Sequence, residues 1–484
     1  MKRRFFLLFA LPSVRAGDNG LALTPPLSWR SWNAWGWRID DATMRTAAAG
    51  LVDSSRPIRG LPAGSSLLTL GFNSVGMDEG WAVCAPKPGF PPGGSKFHRQ
   101  NADGSYSPVV NTTIFPDIGA LVSDIHAMGL KVGWYLNPCF SYCWGQENIG
   151  DVADAGDVAA LTAYGFDSVK LDGCANPGQT NMTLWSALLN ATGKPVLIEN
   201  CHDTAAPTEP IAAGGCPHYH TFRSSTDIRN TYGSWVLNAD SVEQYASTGR
   251  TGPGCWACKL TRPTTQQPAC DVCAQPFYNL TRTAVYSATR NLTQADPDMS
   301  MIGVGTTCAG DTCASNEPPL PTLSEQRTQW GLWCVLSSPL TLSMDFANRT
   351  RVDSVWPVIT NTDAIGVNQA WAGLPGGVLY KSSANVTLEH CTPGWAGDHP
   401  CTVPEVQVWY KPMPGARVAV FAAVHALAPR DVSIALAGVP GLACASAGSC
   451  AVHDVWAQAP AGRAAGTFTA AGVASHDSVF VIFG

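Results

Sequence analysis

Five short apolar runs in this chain end in acidic residues, and carboxylates gathered at the strand ends of a parallel sheet are placed to do chemistry. The segments are Gly76-Met77-Asp78-Glu79-Gly80-Trp81, Lys170-Leu171-Asp172-Gly173-Cys174, Ile198-Glu199-Asn200, Arg223-Ser224-Ser225-Thr226-Asp227 and Asp296-Pro297-Asp298. Side chains two apart on a strand share a face, so Lys170 and Asp172 point the same way. An ammonium there would keep the carboxylate ionised, as a nucleophile must be. Arg223 and Asp227 share a face if their strand stays regular, and Asp296 and Asp298 pair likewise. Each acid taken singly is equally at home as a helix N-cap. Converging together they repel, unless a polyhydroxyl ligand or a cation holds them. Two chemistries use such a ring: sugar hydrolysis by paired carboxylates and metal-assisted catalysis. Trp29, Trp32, Trp35, Trp81, Trp134 and Tyr135 are expected on the same rim, where aromatic faces suit the C–H face of a sugar. The strand ends are poor in histidine, His202 being the nearby imidazole, so neither a metal nor a cofactor is expected.

The elements that must carry these residues alternate from Leu27 onward. Strand-like runs cover 27–33, 72–78, 130–137, 167–172, 195–200, 220–227, 298–302 and 339–345. Helix-like stretches cover 41–52, 118–128, 151–164, 180–190, 234–247 and 324–336, the last with Ser324-Glu325 as its N-terminal signal. Eight strands with crossover helices predict a (β/α)8 TIM barrel. An open doubly wound sheet is the other possibility, but no Gly-rich phosphate fingerprint follows the first strand. After Leu374-Pro375-Gly376-Gly377 the texture changes to alternating runs at 378–380, 405–411, 416–425, 431–436 and 478–483, which read as an antiparallel β-sandwich. The expected division is a signal peptide over 1–16, a barrel over 17–373 and a β-sandwich domain over 374–484.

Composition agrees with a large folded chain. Of 484 residues 45% are hydrophobic and 14% charged, enough apolar surface for a sizeable core. A formal charge of −6 argues against a polybasic nucleic-acid or anionic-membrane binder, and no apolar run approaches the ~20 residues of a membrane span. Lys2, Arg3 and Arg4, the apolar run 5–11, and Val14 and Ala16 form a secretory signal pattern. Seven glycosylation sequons, at Asn111, Asn181, Asn190, Asn279, Asn291, Asn348 and Asn385, point to the same extracellular or vacuolar/lysosomal route. So do the 17 cysteines. Cys308/Cys313, Cys391/Cys401 and Cys444/Cys450 read as local staples, Cys201 is a candidate partner of Cys216, and Cys334 is the expected buried free thiol. Cys255-x-x-Cys258 and Cys270-x-x-Cys273 have zinc-ribbon spacing, and in a secreted chain read as two disulfides, zinc being the alternative.

Motifs in one order across most of the chain resemble glycoside hydrolase family 27, the α-galactosidase or melibiase family. They are Pro25-Pro26-Leu27-Ser28-Trp29-Arg30-Ser31-Trp32-Asn33, Asp78-Glu79-Gly80-Trp81, Ile125-His126-Ala127-Met128-Gly129-Leu130-Lys131-Val132-Gly133-Trp134-Tyr135, Val169-Lys170-Leu171-Asp172-Gly173-Cys174, Arg223-x-x-x-Asp227-Ile228, Asp296-Pro297-Asp298-Met299 and Ile365-Gly366-Val367-Asn368-Gln369. The resemblance implies a TIM barrel followed by an antiparallel β domain, and a retaining exo-glycosidase that removes terminal α-D-galactosyl residues from oligosaccharides, polysaccharides or glycolipids. Asp172 matches the nucleophile and Asp227 the acid/base, with carboxyls expected about 5–5.5 Å apart. Arg223, Trp32, Asp78, Tyr135, Lys170 and Asp298 match sugar-binding positions, and Cys143 and Cys174 match a disulfide. No cofactor is implied, and a monomer or homodimer is expected.

Departures from the family pattern sharpen the expectations. Glu79 stands where an aspartate is usual, beside the C4 and C6 hydroxyls. A longer carboxylate there would crowd the C6 group, so β-L-arabinopyranosidase activity is an alternative, with one methylene worth about 1–3 kcal/mol of discrimination. Glu199-Asn200-Cys201-His202-Asp203 forms the loop expected near the sugar 2-substituent, where His202 and Asp203 disfavour an N-acetyl group. Ser28 and Arg30 replace commoner residues in the first-strand motif, so the family pattern does not define the aglycone rim here. A galactose-binding glycoprotein without turnover is the alternative from another class, and a metal hydrolase stands third.

Overall fold

The computed structural model describes residues 19–82, 97–137, 150–172, 180–201, 218–246, 294–305, 319–392 and 399–484. Eight strands form one parallel sheet: β1 (Leu27–Arg30), β2 (Ser74–Gly76), β3 (Lys131–Leu136), β4 (Ser168–Asp172), β5 (Leu197–Cys201), β6 (Thr221–Arg223), β7 (Gln294–Asp296) and β8 (Leu340–Leu342). Their order is β8-β1-β2-β3-β4-β5-β6-β7. Every ladder is parallel. On the remaining side the Ser300 N–H donates to the carbonyl of Thr341 at 2.8 Å, between the segment after β7 and β8. The sheet therefore curls as a TIM-type barrel.

Strand alternation decides which residues reach the interior. On β3 the Tyr135 side chain turns inward, and Trp134 turns outward to stack on Phe166, with centroids 4.8 Å apart and planes 10° from parallel. Trp29, Trp81 and Trp134 are fully buried in the core, so the six-residue aromatic rim expected from sequence is reduced. A strand fragment shows its period in sequence but not its rotational phase, which tertiary packing sets. Trp32 and Trp35 remain partly exposed, in the helical turn Trp32–Trp35 that follows β1.

Helices return the chain between strands: α1 (Asp41–Val52), α2 (Ile118–Ala127), α3 (Asp154–Tyr164), α4 (Met182–Thr192), α5 (Tyr232–Ala246), α6 (Leu323–Val335), α7 (Arg349–Ile359) and α8 (Thr362–Gln369). Their starts follow capping chemistry. The Asp40 carboxylate accepts from Thr43 N at 2.8 Å. At α6 the cap is Thr322, not Ser324, because Thr322 and Glu325 satisfy each other's backbone N–H groups in a capping box. The seventh strand is also displaced from 298–302 to Gln294–Asp296. Pro297 has no N–H with which to extend a ladder, and Asp298 follows with φ at +92°.

Beyond the barrel a six-stranded antiparallel sheet runs Gly377–Lys381, Val406–Met413, Arg417–Val424, Ser478–Phe483, Cys450–Asp454, Ala459–Ala464 in spatial order. The pair Arg430–Ala435 and Thr467–Val473 covers one face. Arg417–Val424 buries both of its faces. Val418, Val420, Ala422 and Val424 enter the sandwich core, while Ala419, Phe421 and Ala423 join the barrel core. Phe421 nests against Gly331 of α6, where a Cβ would lie 2.1 Å from the Phe421 ring. Ion pairs reinforce the seam: Arg327 to Asp477, and His476 to Glu325 at 2.7 Å. Disulfides join Cys391–Cys401 and Cys444–Cys450, as their spacing predicts. Cys334 is a buried free thiol, as expected, and Cys201 is likewise free and buried, while its expected candidate partner Cys216 lies outside the described residues. Residues 1–16, Cys143, Cys174, Cys308, Cys313, the Cys255/Cys258/Cys270/Cys273 group, His202 and Asp203 lie outside the described residues. Among the described residues no helix is long and apolar enough to cross a membrane.

Candidate active site

The strand ends bring carboxylates together in two clusters. In the first cluster β2 runs into Met77 and Asp78. Asp78 is buried, its N–H donates to Ser31 Oγ at 2.9 Å, and its carboxylate accepts from Glu79 N. The turn requires glycine at 80: φ is +115°, and a Cβ would fall 2.2 Å from the Trp37 carbonyl oxygen. The Trp81 indole N–H donates to the Tyr135 carbonyl at 2.8 Å, tying this turn to β3.

Lys170 and Asp172 do share the inner face of β4, but they bind different partners. Lys170 Nζ donates to Asp78 Oδ2 at 2.9 Å and lies 5.5 Å from the Tyr135 ring centroid. Asp172 accepts from the Tyr135 hydroxyl at 2.6 Å. Asp172 thus takes its hydrogen bond from a tyrosine, and Lys170 acts on it through its field. Burial holds the Tyr135 phenol well above its ordinary pKa, and the charges of Asp172, Glu79 and Asp78 add to this. Tyr135 therefore stays protonated and donates. Burial alone would depress Lys170, but Asp78, Asp172 and Glu199 outweigh it and keep the ammonium charged.

The second cluster is organised by Arg223 at the end of β6. Its guanidinium lies 2.7 Å from Asp227 Oδ1 and 3.6 Å from Asp298 Oδ2. The strand ends at Arg223, so Asp227 reaches it from a loop and not by strand alternation. Asn238 pins that loop, its amide donating to the carbonyls of Thr226 and Pro297. Asp227 is 38% exposed at its side chain, open to a ligand, whereas Asp298 is 5% exposed. Asp298 accepts from Ile228 N and Met299 N, and the Trp333 indole donates to its carbonyl. These bonds hold a non-glycine residue at positive φ, a conformation costing about 1–3 kcal/mol that recurs at functional sites. Burial raises Asp298 toward about 6, Arg223 opposing and Asp227 adding to the rise. Arg223 itself is kept charged against burial by Asp227, Asp298 and Asp172. One guanidinium thus carries the field of carboxylates from both clusters.

Trp32 and Glu79 complete the predicted set, both partly exposed. Glu199, expected at the site, is engaged by Arg30: its Oε2 accepts from Arg30 at 2.7 Å, and Arg30 is itself buried. One contributor escaped the sequence reading: Ser31, which holds Asp78 and carries no signal distinguishable from an ordinary strand residue. Cys201, read as a half-cystine candidate, lies level with Asp172 across the β4–β5 ladder.

Fold and site define a (β/α)8-barrel protein with clustered strand-end carboxylates and a C-terminal β-sandwich. Residues 403–483 match the α-galactosidase C-terminal β-sandwich domain. The chain is 24% identical over 366 residues to an α-galactosidase of Oryza sativa subsp. japonica, spanning 75% of this chain and 67% of that one. It is 24% identical over 390 residues to an α-galactosidase of Cyamopsis tetragonoloba, spanning 78% and 71%. Its fold is similar to the crystal structure of α-galactosidase I from Mortierella vinacea, with TM-score 0.64 and 21% identity over 96% of this chain and 98% of that one. It is also similar to a family-27 β-L-arabinopyranosidase from Geobacillus stearothermophilus, with TM-score 0.65 and 15% identity over 97% and 99%. Sequence and C-terminal domain are thus similar to those of α-galactosidases, and the fold to those of α-galactosidases and of a family-27 β-L-arabinopyranosidase.

Proposed function

We propose that this chain is a retaining exo-glycosidase of terminal α-D-galactosides. The observation that carries the reading is Arg223, which binds Asp227 at 2.7 Å and feels the charge of Asp172, so that two strand-end carboxylates share one buried cation. Asp172 attacks the anomeric carbon while Asp227 protonates the departing glycosidic oxygen, giving a glycosyl ester on Asp172. Asp227, now a carboxylate, then takes a proton from water, which cleaves the ester and releases the sugar with retained configuration. Tyr135 holds Asp172 by its hydroxyl, and Lys170 with Asp78 offers donor and acceptor to the hydroxyls of the terminal ring. The α-galactosidase relatives favour galactose, and the two disulfides suit passage through the secretory pathway.

The test is turnover of 4-nitrophenyl α-D-galactopyranoside by the parent, Asp172→Asn and Asp227→Gly. Loss of turnover in both variants, with azide restoring Asp227→Gly alone, supports these roles. A parent that binds galactose without turning over identifies a carbohydrate-binding protein instead. The second reading is β-L-arabinopyranosidase, favoured by Glu79, whose charge reaches Tyr135 inside the pocket. A galactoside preference above tenfold in kcat/KM ends that reading.

A further inference from the structure

We infer that Arg30 is a positioning residue that keeps Lys170 on Asp78 by holding Glu199 away from it. Lys170 and Glu199 are register partners on neighbouring strands, their Cα atoms directly opposite across the β4–β5 ladder. An ammonium and a carboxylate at that spacing attract each other, yet here each takes another partner. Glu199 Oε2 lies 2.7 Å from the Arg30 guanidinium, and Lys170 Nζ instead takes Asp78 Oδ2 at 2.9 Å.

The site for the Arg30 side chain is built. A second guanidinium nitrogen donates to the Met77 carbonyl at 3.2 Å, and Nε lies 4.0 Å from Asp78. Gly76 makes the room, since a Cβ there would stand 3.3 Å from the guanidinium carbon, and Gly133 faces Gly76 across the next ladder. Below the pair lies a cavity of about 440 Å³ at the N-terminal end of the barrel, lined in part by Arg30, Glu199, Thr221 and Asp296. Glu199 is thus drawn down toward this cavity by Arg30, while Lys170 is left to the pocket above. Charge counting gives the same result. Lys170 feels Asp78, Asp172 and Glu199, three carboxylates for one ammonium, and Arg30 supplies the second cation.

The experiment compares parent, Arg30→Gln, Arg30→Lys and the double variant Arg30→Gln with Glu199→Gln. Crystal structures without sugar are the first readout. Lys170 moves from Asp78 to Glu199 in Arg30→Gln, and returns in the double variant and in Arg30→Lys. Kinetics are the second readout and rest on the galactosidase reading. Arg30→Gln raises KM for the aryl galactoside at least tenfold with a smaller change in kcat, and the double variant regains most of that loss. Lys170 staying on Asp78 in Arg30→Gln overturns the inference, as does equal damage in the single and double variants. If Arg30→Gln does not fold but the double variant does, Lys170 has not taken up the Glu199 charge and the inference is overturned; failure of both reduces Arg30 to packing and overturns it. A parent inert on galactoside and arabinoside ends the galactosidase reading alone, because the sugar-free structures still decide where Lys170 sits.

Discussion

The hydroxyl of Tyr135 donates to Oδ2 of Asp172 at 2.6 Å, joining the ends of β3 and β4. Its donor is a phenol kept neutral by burial and by three neighbouring carboxylates. A hydrogen bond to a charged group contributes about 1.5–3 kcal/mol, and each 1.4 kcal/mol is about tenfold in rate. Tyr135→Phe is therefore expected to lower kcat/KM for an aryl galactoside by about 10- to 100-fold, with little change in melting temperature. Unchanged kinetics would show that Asp172 is oriented by other contacts.

Asp298 illustrates a different dependence, on backbone donors. Its two carboxylate oxygens accept from Ile228 N and Met299 N, and one lies 3.6 Å from Arg223. An asparagine supplies one acceptor oxygen only, leaving one buried N–H facing an amide NH₂, a loss of about 1–3 kcal/mol. Asp298→Asn is expected to destabilise the fold by that order and to lower kcat/KM at least tenfold. Urea unfolding and steady-state rates measure the two effects separately, and a variant with parental values for both would remove Asp298 from the site.

Much of the barrel was legible in the sequence because its signals are local. Six helices and seven strands sit within a few residues of where periodicity and capping residues put them, and the strand-end acids Asp78, Asp172, Asp227 and Asp298 stand in one charge network around Lys170 and Arg223. What failed depends on rotation or depth. Trp134 and Tyr135 are adjacent, and only the assembled barrel decides which one faces inward. Arg30 reads as a surface residue by type, yet Gly76 and two carboxylates make the interior its place. Helices α7 and α8 were missed, α7 having Pro357 in its interior where sequence rules expect a break. Ala459–Ala464, made of small and exposed residues, offers no alternation to read.

Gly331 lets the barrel pack closely on the sandwich. A Cβ there would lie 2.1 Å from the Phe421 ring, whose own strand is buried on both faces and has no room to withdraw. Overpacking of a core costs about 1–3 kcal/mol, more than the ~1 kcal/mol of helix propensity that alanine returns. Gly331→Ala is expected to lower the melting temperature, and Phe421→Leu on the same background to recover part of it. A Gly331→Ala variant more stable than the parent would show that the seam is loosely packed.

Sequons differ in how their asparagines are used. Asn111 is buried, its side-chain oxygen accepts from Thr113 N, and its backbone N–H donates to the Trp81 carbonyl. Asn348 and Asn385 are exposed. Glycopeptide mass spectrometry of protein made in a eukaryotic secretory host should find glycan on Asn348 and Asn385 and none on Asn111. Occupancy at Asn111 would mean that the 111–115 turn forms only after modification.

Lys411 predicts a pH dependence of stability that belongs to the seam and not to the pocket. Its ammonium is fully buried and donates to the carbonyls of Val367 and Asn368 at the end of α8. Burial pushes its pKa down to about 7, the nearby Cys334 opposing. In the unfolded chain it titrates at the ordinary value of 10.5. Between those values the unfolded state binds the extra proton, so stability rises with pH, by up to about 1.4 kcal/mol per unit from this group. Below about pH 7 the group is charged in both states, and its contribution is lowest and constant. Other titrating groups cancel when parent and Lys411→Met are compared by urea unfolding. The difference, parent minus variant, should climb steadily from pH 7 to 8.5. A flat difference would mean that the two helix-end carbonyls keep Lys411 charged in the folded protein, and that the dipole of α8 outweighs its burial.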